Sequence, residues 1–197
     1  MNDPWTDQPR LSGPHVTLRP MVRTDRDAIV AAASDGKLWE LFYTAVPSEV
    51  TIDAYLDTAE REAGYGRAMP FVVLDTAGKL VGCTRYMRMN KAARRLEIGT
   101  TFYAKSVQRS PVNSAAKLLL LTHAFDVMEA SCVQLRTDHF NQASQRAIER
   151  LGAKKDGVLR NHSIVDGRVR DTVCYSIIAN EWPGVKRNLE FKLSRGG

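Results

Sequence analysis

Cysteine is scarce here: Cys83, Cys132 and Cys174 are three residues, an odd number, far apart in the chain. That excludes a disulfide framework, and free thiols in a reducing compartment are expected. Histidine is equally thin, with four residues. His139 and His162 have no partner at ligand spacing, and His123 lies in a leucine-rich stretch that suits a structural role. No metal site is expected. No apolar run approaches the length of a bilayer crossing, and the opening MNDPWTDQPRLSGP lacks the basic-then-apolar profile of a signal peptide. A soluble, cytoplasmic chain without a membrane partner is the expectation. Internal repeats and low-complexity segments are missing too.

What is present reads as globular. The 197 residues, 44% hydrophobic and 25% charged, suffice for one domain with a sizeable core. The net charge of +6 suits nucleic acid or any ligand carrying several phosphates. The basic residues are scattered, however, and the one short run, 91–95, falls where a hairpin turn is expected. Nucleic acid is therefore not an expected partner.

Along the chain, residues 1–14 hold four turn-prone positions (Pro4, Pro9, Gly13, Pro14) and read as a loosely ordered lead-in to a domain over 15–193. Residues 15–20 alternate as a strand, and Thr24 is a good N-cap for a helix with Asp25 and Asp27 in its first turn. An aromatic stretch at 37–43 precedes a second helix over 51–63. Three strands follow, at 70–75, 80–89 and 94–103, in an antiparallel meander. Ser110-Pro111 then starts a helix, and 133–137 is a short strand. Asn141 caps a further helix that stops at Leu151-Gly152, and a hairpin with its turn at Asp166-Gly167 leads to a terminal helix at 181–193. The order predicts an α+β fold: a central mixed, mostly antiparallel sheet of about seven strands with helices on both faces.

The informative stretch runs from Glu97 to Asn113, followed by SAAKLLLL. A strand passes through a tight turn into a helix N-terminus, which points several backbone N–H groups at one spot with the helix dipole behind them. A pyrophosphate suits that arrangement. On this stretch the chain resembles the GNAT superfamily, in particular its Rim-type branch of ribosomal-protein N-terminal acetyltransferases. The superfamily's phosphate loop, Q/R-x-x-G-x-G/A, lies over Gln108, Arg109, Ser110, Pro111, Val112 and Asn113. Pro111 replaces the first glycine and removes one N–H donor; the amides of Val112, Asn113 and Ser114 remain. A second motif, Asn141-x-x-Ser144 ahead of a helix ending in Leu151-Gly152, stands at the matching separation. The likeness spans roughly residues 15 to 180.

The resemblance implies an N-acetyltransferase that moves an acetyl group from acetyl-CoA to a primary amine by direct attack in a ternary complex. The acceptor is a protein N-terminus, an aminoacyl compound or a small-molecule amine. In the superfamily Asn141 reaches the pantetheine arm, the backbone of Phe102 and Tyr103 pairs with that arm, and Glu97 is the strand carboxylate near the acyl group, a candidate general base. Many members carry a tyrosine where this chain has Ile148, so Ser144 is the candidate acid for the departing thiolate. Trp39, Phe42 and Tyr43 would line the acceptor pocket, although core packing explains them equally well. Three alternatives stay open: a larger acyl group, an acyl carrier protein as donor, or a non-catalytic acyl-CoA-binding module. A homodimer is compatible with the branch.

Overall fold

The computed structural model describes residues 3–195. Its centre is one eight-stranded sheet built from β1 (Leu11–Ser12), β2 (Thr17–Pro20), β3 (Met69–Leu74), β4 (Leu80–Asn90), β5 (Arg95–Tyr103), β6 (Cys132–Asp138), β7 (Lys154–Val165) and β8 (Arg168–Ile178). The spatial order is β1-β2-β3-β4-β5-β6-β8-β7, antiparallel everywhere except between β5 and β6. Five helices cover it: α1 (Arg26–Ser34), α2 (Ile52–Gly64), α3 (Val112–Thr122), α4 (Gln142–Leu151) and α5 (Trp182–Ser194). The mixed sheet with helices on both faces is as expected, with eight strands where about seven were read.

The eighth is β1, and it changes the standing of the lead-in. Leu11 and Ser12 pair with Leu18 and Thr17, and the buried Trp5 donates its indole N–H to the Met128 carbonyl at 3.0 Å. Residues 3–14 are thus tied to the sheet, while Met1 and Asn2 lie outside the described residues. An apolar ring with one polar handle can anchor a segment in which turn residues dominate. A second difference is at α1. Thr24 does not cap it; a single turn at Arg23–Asp25 precedes it, and the buried Asp25 carboxylate takes the guanidinium of Arg19 at 2.6 Å.

Alternation along the strands sends residues to two cores. One face packs under α3, α4 and α5 and includes Tyr86, Leu120, Leu121, Leu135, Ile148 and Tyr175. The other packs under α1 and α2 and includes Ile29, Ile52, Leu56, Val72, Cys83 and Phe102. Each fully buried leucine or isoleucine stabilises the fold by about 1.5–3 kcal/mol. The three cysteines are free thiols. Among the described residues no helix is long and apolar enough to cross a membrane.

Two irregularities bend the central strands. Between Cys83↔Phe102 and Arg85↔Gly99 the strand β5 carries one extra residue, and Thr100 sits there at φ 49°. Such a bulge bends the strand and increases its twist. On β4, Arg88 at φ 50° makes a similar insertion between Met87↔Glu97 and Asn90↔Arg95.

Gly82 lets β4 accept the end of β5. A Cβ there would lie 2.3 Å from the Phe102 carbonyl oxygen, a backbone atom that cannot swing aside. Gly82→Ala is expected to cost about 2–4 kcal/mol and lower Tm by roughly 5–15 °C in thermal unfolding followed by circular dichroism. Gly64→Ala, whose added methyl meets open space at the end of α2, is the control and should not lower Tm. Equal Tm values for the two variants would refute the close-approach argument.

Candidate active site

β5 and β6 are parallel neighbours over only three residue pairs, Arg95 to Glu97 with Cys132 to Gln134. Beyond Glu97 they separate: β5 continues with β4 and β6 with β8. The edge of β5 past the split has no strand partner on that side, so the sheet opens in a wedge. A cleft of about 650 Å³ occupies it and passes through the sheet, lined from both helical layers.

On the α3/α4 side the lining includes Phe102, Tyr103, Gln108, Arg109, Asn113, Lys117, Asn141, Ser144 and Ile148. Arg109 at φ 62° turns the chain into α3, and Pro111 enters at φ −60°, already helical. The Ser110 hydroxyl donates to the Val107 carbonyl at 2.6 Å and accepts the Val112 N–H at 3.3 Å. No described backbone carbonyl accepts the N–H groups of Asn113 and Ser114, which stand free at the helix start. Ser110, Val112 and Ser114 lie beside the lining rather than in it, and Val112 is buried in the core. Gln108 donates its side-chain amide to the Tyr103 carbonyl at 3.0 Å, so that carbonyl is already engaged.

Across the wedge, the Asn141 side chain accepts the Ser144 backbone N–H at 3.0 Å and caps α4 as read. The Ser144 hydroxyl makes no hydrogen bond to any described residue and lines the cleft. Gly152 stops α4 at φ 100°.

Lys117 is a cleft residue that sequence reasoning passed over. Its ammonium nitrogen lies 2.9 Å from the Thr101 hydroxyl and 3.3 Å from that of Thr84, and the side chain is buried. Burial pushes its pKa down to about 7. The signal was there: Asn113, Lys117 and Leu121 recur at helical spacing on the inward face of α3.

Glu97, Arg136, Asp138 and Arg170 all project from the other face of the sheet, where their strand neighbours Ile98, Leu135 and Val173 point to the opposite core. Glu97 is buried, 2.5 Å from an Arg88 terminal nitrogen and 3.3 Å from Arg136 Nε. The bulge at Arg88 is what swings that guanidinium onto the carboxylate. Arg136 Nε is close but misaligned, so it pairs by charge without forming a hydrogen bond. Asp138, also buried, holds Arg168 at 2.5 Å, has Arg170 Nε at 3.6 Å, and accepts the Phe140 N–H at 2.9 Å. The His162 ring nitrogen Nδ1 lies 3.0 Å from the Thr172 hydroxyl.

The three aromatic residues separate. Tyr43 lines the cleft, Trp39 packs against the α1/α2 core, and Phe42 is largely exposed with Arg168 stacked 5.2 Å from its ring centre. Phe42 therefore stands at the rim and Trp39 in the packing. Adjacent positions on an irregular stretch point in different directions, which no periodicity announces.

Comparisons with known proteins agree on this architecture. Residues 15–154 match the acetyltransferase (GNAT) domain. A Bacillus subtilis (strain 168) protein named "Putative ribosomal N-acetyltransferase YdaF" is 31% identical over 109 residues, covering 55% of this chain and 59% of that protein. The matched stretch thus spans about three-fifths of the relative. The crystal structure of a GCN5-related N-acetyltransferase from Brucella melitensis superposes with a TM-score of 0.82 at 28% identity, covering 93% of this chain and 85% of that one. One described as an acetyltransferase from T. thermophilus reaches a TM-score of 0.84 at 35% identity, over 96% and 99% of the two chains. A sheet split between β5 and β6, a bare helix start at its mouth and a domain match over most of the chain lead to one conclusion: this chain belongs to the GNAT family of acetyltransferases.

Proposed function

We propose that the protein transfers an acetyl group from acetyl-CoA to a primary amine through a ternary complex, with the two substrates entering the cleft from opposite faces of the sheet. The observation that carries this reading is the wedge itself, which joins a helix start with free N–H groups to a buried carboxylate on the far side. The diphosphate sits at the start of α3, on the amides of Asn113 and Ser114 with Arg109 beside them. The pantetheine arm follows the unpaired edge of β5 at Phe102 and Tyr103, with Asn141 on the opposite wall.

The amine nitrogen attacks the thioester carbon, the carbon–sulfur bond breaks, and the thiolate takes a proton from the Ser144 hydroxyl. The amine loses a proton to Glu97, directly or through one water. A substrate α-amine, with a pKa of about 7.7–8.0, needs less help than a lysine near 10.4. A protein N-terminus fits that chemistry, and the B. subtilis relative's name points the same way.

Calorimetric titration with acetyl-CoA, CoA and a longer acyl-CoA tests the donor. Micromolar binding of acetyl-CoA supports the reading; binding of none moves an acyl carrier protein forward, because Pro111 removes a phosphate donor. Glu97→Gln is expected to lower kcat by about 10²-fold and alter the pH–rate profile, measured by thiol release. Wild-type kinetics in that variant would remove Glu97 from the mechanism.

A further inference from the structure

On the α1/α2 face of the cleft, two buried carboxylates are each held by two arginines. Glu97 lies between Arg88 and Arg136, and Asp138 between Arg168 and Arg170. Four guanidiniums therefore face two carboxylates, and each cluster keeps one positive charge that no described carboxylate neutralises. The two clusters are close in the sheet, since Arg136 and Asp138 alternate along β6 and Thr172, opposite Asp138, is two residues from Arg170 on β8.

The arginines are not equally committed. Arg168 is bonded to Asp138 and stacked on both Phe42 and Phe140, at 5.2 and 5.6 Å from their ring centres. Arg170 lines the cleft yet makes no hydrogen bond to any described residue, and its Nε is a buried donor without an acceptor. Asp138 cannot supply one, because it already accepts from Arg168 and from the Phe140 N–H. A buried guanidinium edge with open donors is a receiver for a planar anion, which it binds by two parallel hydrogen bonds. A polyamine would bring further positive charge to a mouth that already carries an excess, which is costly where water is scarce.

We infer that the acceptor mouth selects an amine bearing a carboxylate, received by Arg170 while the amine faces Glu97. This rests on the acetyl-transfer reading and names its acceptor class. The carboxylate comes from a free amino acid or from an acidic residue next to a peptide's N-terminus, and the same group is recognised in both. Arg170 sets specificity and moves no proton.

The test uses the full chain with saturating acetyl-CoA and five acceptors: the tetrapeptide amides Ala-Asp-Glu-Tyr and Ala-Lys-Lys-Tyr, alanine, alaninamide and spermidine. Expected is a kcat/KM at least about tenfold higher for the acidic peptide than for the basic one, with spermidine lowest. Alanine exceeding alaninamide would make a free α-carboxylate sufficient; the reverse would assign the anion to a peptide side chain. Arg170→Gln should erase the preference for the acidic peptide while leaving the acetyl-CoA Kd and the basic peptide unchanged, and Arg170→Lys should restore part of it. Equal use of both peptides, a preference for the basic peptide or spermidine, or an equal loss on both peptides in Arg170→Gln overturns the inference. If Arg170→Gln fails to fold, the wild-type preference decides.

Acetyl-CoA titration reports separately on the donor reading. Should acetyl-CoA bind but no acceptor turn over, binding of the two peptides to the CoA-saturated protein decides. Tenfold tighter binding of the acidic peptide supports the inference, and equal or absent binding refutes it. Should acetyl-CoA not bind, the transfer reading fails, and the same peptide titration still measures the anion preference.

Discussion

Ser144→Ala is expected to lower kcat for acetyl transfer by about 10²-fold or more while the Kd for acetyl-CoA changes by less than about twofold. The split follows from what the side chain does in the fold. Its hydroxyl is bonded to no described residue, whereas the link to Asn141 runs through the Ser144 backbone N–H and survives the substitution. Alanine is the better helix former, so α4 and its cap stay in place. The loss should therefore fall on the step in which the thiolate takes a proton, with binding spared. Steady-state thiol release together with calorimetry separates the two quantities. An unchanged kcat would reduce Ser144 to a first-turn helix residue and leave the departing thiolate to be protonated by another group or by water.

Lys117→Met is expected to stabilise the protein near neutral pH and to flatten its stability profile on the alkaline side. Burial lowers the Lys117 pKa from its usual 10.5 to about 7, while in the unfolded chain the amine holds its proton until about 10.4. Between about pH 7 and 10.5 the unfolded chain thus binds one proton that the folded chain does not, and stability rises with pH across that window. The cost of the buried amine is fully present below pH 7 and gone above pH 10.5. It is of the order of a few kcal/mol, which methionine would avoid while filling the same space. The two threonines lose little, because their hydroxyls are already 2.8 Å apart and bond to each other. Urea unfolding of both proteins at pH 7, 8.5 and 10 measures the difference. It should shrink as pH rises; a constant difference would mean that Lys117 is charged in the folded protein throughout. The fold gains nothing from this amine, and its place in the cleft wall associates it with whatever the cleft binds.

The legible parts of the molecule were those set by neighbours in sequence. Asn141 and Gly152 bound α4 where the capping and stop signals stood, and Ser110-Pro111 started α3 because a fixed φ and a nearby hydroxyl suit a first helical turn. The meander of β3, β4 and β5 followed from alternation and polar turns. Less legible was anything joining distant segments. Trp5 looked like part of a loose leader until its ring met a carbonyl 123 residues away. Asp138 and Arg170 drew no notice as single charges, for their meaning comes from lying on adjacent strands of one face.

By itself the sequence determined the elements, their caps, the helix start that can hold a phosphate, and the motif pair that carried the family. Those depend on dihedral preferences and hydrogen bonds spanning a few residues, which composition and spacing encode directly. Only the tertiary structure decided that β5 and β6 pair for three residues and then part, that Lys117 loses its water, and that four arginines converge on Glu97 and Asp138. Strand register and buried charge pairing are set by the whole packed sheet, in which a bulge at Thr100 or Arg88 redirects side chains contributed by remote parts of the chain.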